Sequence, residues 1–454
     1  MRIVITGLER SGKTIMITSL VHQLLNQGRF YHFPRDHQAY PVKAELLPLP
    51  NQRPRFPYED HIDCLTGEHP TWPAKTTEAS EIHLQLKYRR TQETSAGLWE
   101  PVGPYRELKL ELVDYPGEWI VDLPLMTQDY GAWSAETLRQ SHRPPRDALA
   151  KPWHAALAEI DVHASPAQDT LAPLVDSYQA FLQACRVRGL VDAQPGFYFL
   201  KPQNLEHGAW EFTPLPATAV DTPLYRAFAE RYGAYQQLLQ EFYQSYFAKA
   251  QVQIVLVDVF RILKLGIDAF NDHRRLLSRI VKSHRYYQPW WGEDVLGWLY
   301  RQVRPPAIER TILAATKAEL AEDLDQGSAK YLDEYARQLG LEREVEGNAA
   351  AAVLFTTHIA AVDCRELVRS RKDEKDVRVR ATVARDNALE RRIYPADKAI
   401  VSLSPEGFPG YREQWPDDVE IPTLMPPRFP DRAGYALEHL NLDRLLGLAL
   451  QEYL

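Results

Sequence analysis

The chain has 454 residues, enough for one large domain with insertions or for two or three ordinary ones. Its 45 % apolar and 25 % charged residues match a globular protein with a sizeable core, which excludes collagen-like and wholly disordered classes. Lys and Arg number 53 against 61 Asp and Glu, a net charge of −8; a protein living on nucleic-acid phosphates is usually basic, so no nucleic-acid partner is expected.

Cys64, Cys185 and Cys364 stand far apart with no C-x-x-C pair, so neither a disulfide framework nor a cysteine zinc site is expected, and a reducing compartment is. No apolar run approaches the roughly 18 residues that span a bilayer. The sequence given opens directly on an apolar strand, so no cleavable leader is expected. The expected location is the cytoplasm, with attachment to the inner membrane only through a partner.

In chain order, Arg2-Ile3-Val4-Ile5-Thr6 reads as a strand, and a helix follows from about Ile15 to Gln27, closed by Gly28. Between Phe33 and Pro73 the density of proline and aromatic residues predicts a long irregular excursion. Residues 81–88 and 107–113 alternate apolar and polar side chains and are expected to pair as an antiparallel hairpin through the 97–105 loop. From Pro124 to Ala250 the pattern is mostly helical. Leu224, Phe228, Tyr232, Tyr235, Leu238, Leu239, Phe242 and Tyr246 recur at helical spacing there, and a Pro- and Gly-rich break falls at 194–216. Near-continuous apolar runs at 253–259 and 311–316, with a third strand at 358–362, predict buried parallel strands. Ala349 to Phe355 reads as helix or strand core. Helices are expected around 262–280, 293–302, 329–339 and 438–454.

The expected fold is therefore α/β: a mostly parallel sheet with one antiparallel edge strand at 81–88, and a large helical insertion. Residues 1–120 and 251–454 would form the nucleotide-binding domain and 121–250 the helical one.

Gly7-Leu8-Glu9-Arg10-Ser11-Gly12-Lys13-Thr14 is G-x-x-x-x-G-K-T, placed after a strand and before a helix as a P-loop requires. Glycines at both ends let the backbone wrap a phosphate without a Cβ clash, and N–H groups near Ser11 to Thr14 point into the cradle at a helix N-terminus. In that motif Lys13 reaches the β- and γ-phosphates and the Thr14 hydroxyl ligates Mg²⁺. Asp114-Tyr115-Pro116-Gly117 is D-x-x-G at a strand end: Asp114 would hold metal-bound water and the Gly117 N–H would sense the γ-phosphate. Asp258, also ending an apolar strand, is the competing carboxylate. With the Asp114 strand third and antiparallel to its neighbour, the arrangement is that of small GTPase-like switches. Thr76, or failing it Thr77, would then complete the Mg²⁺ shell.

Thr316-Lys317-Ala318-Glu319 stands where guanine readers carry N/T-K-x-D. Lys317 would lie on the base plane; Glu319 is one methylene too long for the usual bidentate contact. The loop after Val362 would offer a backbone contact to the base. Glu118 follows Gly117 where a water-orienting residue sits in Ras-like enzymes, and it serves either that role or a structural one. Arg10 is either a cis arginine at the β–γ bridge or a solvated loop residue.

These residues resemble the YcjX family of stress-associated P-loop proteins. The most specific strings are Asp114-Tyr115-Pro116-Gly117-Glu118-Trp119 and Trp72-Pro73-Ala74-Lys75-Thr76. The resemblance implies a Ras-like domain with a helical insertion, binding of GTP and GDP with Mg²⁺, slow intrinsic GTP hydrolysis and a role as a switch in stress responses. It implies that Ser11, Gly12, Lys13, Thr14 and Ile15 cradle phosphates. Trp72, Lys75 and Thr76 would belong to the first switch, while Lys317, Glu319 and Val362 surround the base. Members usually carry aspartate where Glu319 stands, and often a lead ahead of the P-loop that this sequence does not show. A protein effector or regulator is expected, docked on the 121–250 segment. Two rival classes remain: an ATP-using P-loop enzyme, and a non-catalytic interaction module in which the nucleotide is structural.

Overall fold

The computed structural model describes residues 1–8, 10–26, 39–50, 53–74, 76, 78–90, 105–163, 168–199, 211–258, 261–262, 265–286, 308, 310–317, 352–356, 362–363, 378–385, 388–395, 426, 437, 439, 441–451 and 453. The elements are β1 (Arg2–Gly7), α1 (Lys13–Leu25), β2 (Ala39–Leu47), α2 (Tyr58–Thr66), β3 (Ser80–Arg90), β4 (Tyr105–Asp114) and α3 (Glu118–Asp122). There follow α4 (Tyr130–Ser141), α5 (Arg146–Glu159), α6 (Gln168–Val187), α7 (Pro223–Tyr246), β5 (Val252–Val257), α8 (Ile267–Tyr286), β6 (Arg310–Thr316) and β7 (Ala352–Thr356). The last are β8 (Val362–Asp363), β9 (Arg378–Arg385), β10 (Ala388–Pro395) and α9 (Leu442–Leu450).

The chain divides into two compact units, Met1–Tyr115 with Ala250–Lys264 and Ile308–Leu454, and Pro116–Lys249 with Leu265–Ala307. The first holds a seven-stranded sheet in the order β2-β3-β4-β1-β5-β6-β7. From β4 to β7 the strands run parallel, and β3 lies antiparallel between β2 and β4. β1 is buried at every residue, as a central parallel strand must be. One face of the sheet (Ile3, Ile5, Leu84, Leu112, Ile254, Ile312) packs with α1 through Ile17, Leu20 and Leu24 and with α9 through Leu445, Leu446 and Ala449.

Three expectations are corrected. The stretch from Phe33 to Pro73 is not irregular throughout: it contributes β2 and α2, and β2 rather than 81–88 is the sheet edge. Pro41 disguises β2, because proline has no N–H for a ladder; the strand admits it at an edge, with a register shift between Pro41 and Lys43. Among the described residues the strand beside β6 is Ala352–Thr356; of the strand expected at 358–362 only Val362 is described, and the rest lies outside the described residues. Val353, Leu354, Phe355 and Thr356 favour extended backbone more than the alanines of the later run. Val362 instead lies in the two-residue β8, paired antiparallel with β9 in a separate three-stranded sheet. The helices expected at 293–302 and 329–339 lie outside the described residues.

The second unit is mainly helical and cored by aromatic rings. Trp133 stacks on Tyr232 with centroids 5.4 Å apart and meets Phe212 edge-on at 5.2 Å. Trp153 stacks on Phe181 at 5.2 Å, and Trp119 meets Phe242 edge-on at 4.2 Å. Rings at these spacings add about 0.5–1.5 kcal/mol per pair beyond area burial. Cys185 is buried here, and burial pushes its thiol up to about 12; Cys64, in the first unit, is exposed, and Cys364 lies outside the described residues. Among the described residues no helix is long and apolar enough to cross a membrane.

Charged groups tie the first unit's strands together. The Arg2 guanidinium bridges Glu111 at 2.9 Å and the fully buried Glu81 at 3.5 Å, and Glu81 also takes Arg53 and, at 3.1 Å, His83. Burial works against ionisation of Glu111, but hydrogen bonds from Lys109 and Arg2 and the Arg2 charge outweigh it. They hold its carboxyl down at about 2, against 4.5 for an ordinary glutamate. A depressed carboxyl stabilises the folded chain above its unfolded pKa and loses that effect as acid protonates it. E111Q should therefore lower the urea midpoint at neutral pH. The gap from the parent should narrow as pH falls from 4.5 towards 2 in parallel denaturation curves.

Candidate functional site

β1 ends in the P-loop, and its neighbours in the sheet set what surrounds that loop. Parallel pairing brings Ile5 beside Asp114 of β4 and Gly7 beside Leu256 of β5. The loop thus opens at the carboxyl ends of parallel strands, where open α/β sheets bind ligands. Gly7 has φ +149°, and a Cβ there would stand 2.5 Å from Ser11 Oγ and 2.7 Å from the Leu256 carbonyl oxygen. Gly12, in the left-handed region at φ 94°, is the N-cap of α1. Its carbonyl starts the helix by accepting from the Met16 N–H at 2.8 Å, while the Ser11 N–H donates to Leu8 O at 3.1 Å. No acidic side chain stands in the first turn of α1, so nothing there offsets the positive end of the helix dipole.

Lys13 is largely buried, and its ammonium donates to Gly7 O at 2.8 Å and Leu8 O at 3.3 Å. The Ser11 hydroxyl is buried without a hydrogen-bond partner. Arg10 is exposed, in the left-handed region at φ 64°.

Three oxygen-bearing side chains meet beside this loop. Thr14 Oγ1 lies 2.8 Å from Thr76 Oγ1, and both hydroxyls donate to Asp114 Oδ2, Thr14 at 3.2 Å and Thr76 at 2.9 Å. The β3–β4 register, which sets Ser80 opposite Asp114, delivers the segment just ahead of β3 to this spot. Asp114 is 2 % exposed, and its second oxygen, Oδ1, is buried with no partner. Burial raises the Asp114 carboxyl above the ordinary aspartate value, against the pull of the Lys13 charge and the two hydroxyls.

One carboxylate and two hydroxyls are hard oxygen donors, and the orphan Oδ1 leaves a lone pair for a cation. Mg²⁺ is usually held this way, by one or two carboxylates completed by substrate phosphates and water. Among the described residues no group of three or more His, Cys, Asp or Glu is placed to hold a metal, so an all-protein cage is not what this site resembles.

The other expected residues fall as follows. Trp72 and Ile15 meet in a small apolar cluster around Leu65 and Leu437. Lys75, Thr77 and Glu319 lie outside the described residues. Lys317, at φ 62°, pairs with Asp258 at 2.5 Å, and the other Asp258 oxygen accepts from the Arg261 N–H at 3.0 Å. Asp258, the competing carboxylate, is thus engaged by Lys317, while the Thr14 hydroxyl bonds to Asp114. Val362 sits in the small separate sheet rather than at the end of a strand of the large one.

Gly117 and Glu118 belong to the second unit, whose boundary falls just after Tyr115. Glu118 is buried there, and its Oε1 accepts from Arg186 of α6 at 3.1 Å. Arg186 lies over the Phe199 ring, 3.9 Å from its centroid. A Cβ on Gly196 would stand 2.4 Å from the Glu118 carbonyl oxygen. Asp122 accepts from the Gly196 N–H at 2.9 Å and from the Tyr235 hydroxyl. Sequence reasoning missed Arg186, Gly196 and Tyr235 as partners of this segment. Each is a single residue far from it in sequence, and no local pattern marks the pairing.

A family model described as "YcjX-like family, DUF463" matches residues 1–454. The chain belongs to the YcjX-like family. The resemblance read from the P-loop and D-Y-P-G-E-W strings pointed to the same family. An Escherichia coli protein named Ras-like GTPase YcjX is 32 % identical over 338 residues, 70 % of this chain and 69 % of that one. A Shewanella oneidensis protein of the same name is 29 % identical over 350 residues, 70 % of this chain and 68 % of its own length.

The two glycine environments make a paired test. Gly7→Ala forces a Cβ against Ser11 and Leu256 at a backbone angle L-residues avoid, and should cost about 1–3 kcal/mol. Gly233→Ala, in mid-α7 with no atom within 4 Å of the added carbon, should stabilise by up to about 1 kcal/mol. Thermal or denaturant unfolding of the two variants should shift in opposite directions.

Proposed function

We propose that this chain is a P-loop GTPase: a GTP- and GDP-binding protein that slowly hydrolyses the β–γ phosphoanhydride of GTP and acts as a nucleotide switch in a stress response. The observation that carries the reading is the meeting of Thr14, Thr76 and Asp114 beside the P-loop, with a buried carboxylate oxygen still unpartnered. Two relatives that bear the name Ras-like GTPase, each matched over 70 % of this chain, support it.

In this reading the domain is Ras-like, and residues 121–250 are a large helical insertion between β4 and β5 that serves as the docking element for a protein effector or regulator. The P-loop amides from Ser11 to Ile15 bind phosphate oxygens, and Lys13 turns from the Gly7 and Leu8 carbonyls to the β- and γ-phosphates. Asp114 and the hydroxyls of Thr14 and Thr76 hold Mg²⁺, directly or through water. When bound, that ion neutralises charge developing on the phosphates. Trp72 and Lys75 flank Thr76 in the first switch, and Gly117 senses the γ-phosphate. Lys317 and Glu319 face the base, Lys317 exchanging its Asp258 partner for the guanine plane, with the chain near Val362 beside it. Catalysis on this scheme is positioning and charge neutralisation. Glu118 orients water only when released from Arg186, which accounts for slow turnover without a partner; Arg10 is a solvated residue of the loop.

Titration calorimetry with Mg²⁺ should show GTP and GDP binding at least about tenfold more tightly than ATP, a difference of about 1.4 kcal/mol. Tighter ATP binding would sink the guanine reading. Lys13→Ala should cut phosphate release by roughly 100-fold or more, the scale seen when one transition-state donor is lost. If parent and variant release phosphate at the same rate, the chain is a nucleotide-stabilised module and not a hydrolase. Asp114→Asn should abolish the Mg²⁺ dependence of nucleotide binding. In metal-free buffer it should raise the unfolding midpoint, because it removes a buried charge that desolvation disfavours.

A further inference from the structure

α3 (Glu118–Asp122) is five residues long, far below the roughly 12–15 at which an isolated helix becomes even marginal in water. Its place is therefore set by what it touches. Within the second unit, residues 194–199, the start of the Pro- and Gly-rich break, meet it along its length. The Gln194 Nε2 donates to Val121 O at 2.6 Å. The Gly196 N–H donates to Asp122 Oδ1 at 2.9 Å, and the Tyr235 hydroxyl donates to the other oxygen of that carboxylate. The Phe199 ring lies against Arg186, 3.9 Å from the guanidinium carbon to its centroid, and Arg186 donates to Glu118 Oε1 at 3.1 Å.

Gly196 makes the tightest approach. A Cβ there would meet the Glu118 carbonyl oxygen inside contact distance and the carbonyl carbon at 3.1 Å. The φ of Gly196 lies outside the left-handed region, so its backbone angles do not call for glycine; the closeness of Glu118 does. The segment is itself held. Tyr178 donates to Gln194 O at 2.5 Å, and the Tyr198 hydroxyl donates to Phe212 O at 2.5 Å while accepting the Phe212 N–H at 2.7 Å. Gln194, Gly196 and Tyr198 are all buried. A buried, hydrogen-bonded support of this kind is what keeps a functional group on its bearing.

We propose that residues 194–199 are a positioning element for the γ-phosphate sensor, with Gly196 as its decisive residue. By fixing the Glu118 carbonyl, Gly196 sets the bearing of the adjoining Gly117, whose N–H reads the γ-phosphate. Residues 194–199 act through Gly117 and not through contact with nucleotide. The role rests on the GTPase reading: without a γ-phosphate at Gly117 there is nothing to position. GDP has no γ-phosphate, so a disturbed support weakens the triphosphate and spares the diphosphate.

Calorimetry on the full chain with Mg²⁺ compares GDP with a non-hydrolysable β,γ-imido analogue of GTP. Gly196→Ala pushes the Glu118 carbonyl aside. It should weaken the analogue about five- to tenfold, the scale of one lost hydrogen bond, and leave GDP within about twofold of the parent. Gln194→Met keeps the bulk and removes the donor to Val121 O. It should weaken the analogue about two- to threefold in the same one-sided way, and it carries the test alone if Gly196→Ala does not fold. A support for the fold alone would lower the unfolding midpoint and weaken both ligands together, or neither; each of those results overturns the proposal. A parent chain that binds neither ligand overturns the GTPase reading, and the positioning role with it. A parent that binds both, with variants that keep its ratio of analogue to GDP affinity, overturns the positioning role alone.

Discussion

One carboxylate oxygen organises the first unit's site. Asp114 Oδ2 receives hydroxyls from Thr14 at the start of α1 and from Thr76 ahead of β3, so three segments distant in sequence converge on one atom. The convergence follows from the sheet. Parallel pairing of β1 with β4 sets Asp114 level with Ile5, and the antiparallel β3 returns the chain to the same end. The carboxylate is buried, and burial opposes its charge. Lys13 and the two hydroxyls offset part of that opposition, and a cation on the unpartnered Oδ1 would offset more. A cation bound there would make the folded chain more stable than it is bare, as any ligand of the folded state does.

Much of the first unit was legible in the sequence, because its signals are local. G-x-x-x-x-G-K-T needs a strand before it and a helix after it, and β1 and α1 supply both. Alternation in β3 and β4 and the apolar run of β5 gave their places to within about two residues. β2 was hidden because a single proline breaks the ladder pattern while leaving the strand intact at an edge. The strand beside β6 falls in the earlier of two short apolar runs that lie within ten residues of each other, and periodicity alone does not choose between them. Pairing partners such as Arg186 for Glu118, or Lys317 for Asp258, depend on tertiary placement and leave no trace in local spacing.

The second unit follows a different logic. Its helices are amphipathic in the ordinary way, but the buried face carries many aromatic rings among its leucines, and many ring hydroxyls are spent on backbone carbonyls. Tyr130 donates to Thr213 O at 2.6 Å, Tyr178 to Gln194 O at 2.5 Å and Tyr198 to Phe212 O at 2.5 Å. Each such bond satisfies a carbonyl in a connecting segment that no helix or sheet provides for. The irregular stretches 192–199 and 211–216 are held in this way by tyrosines on the helices and beside them. Burial pushes the hydroxyls of Tyr130, Tyr178 and Tyr198 up, so they stay protonated donors across the physiological range.

The bulge at Pro41 bears on the life of the protein in a crowded cell. The outer rim of a seven-stranded sheet is a row of unused donors and acceptors, open to any extended chain that can add to it. Here the rim strand lacks one donor, slips register beside it, and carries the exposed charges of Lys43 and Glu45. A second molecule laid along β2 would meet a broken template, which disfavours pairing at this rim.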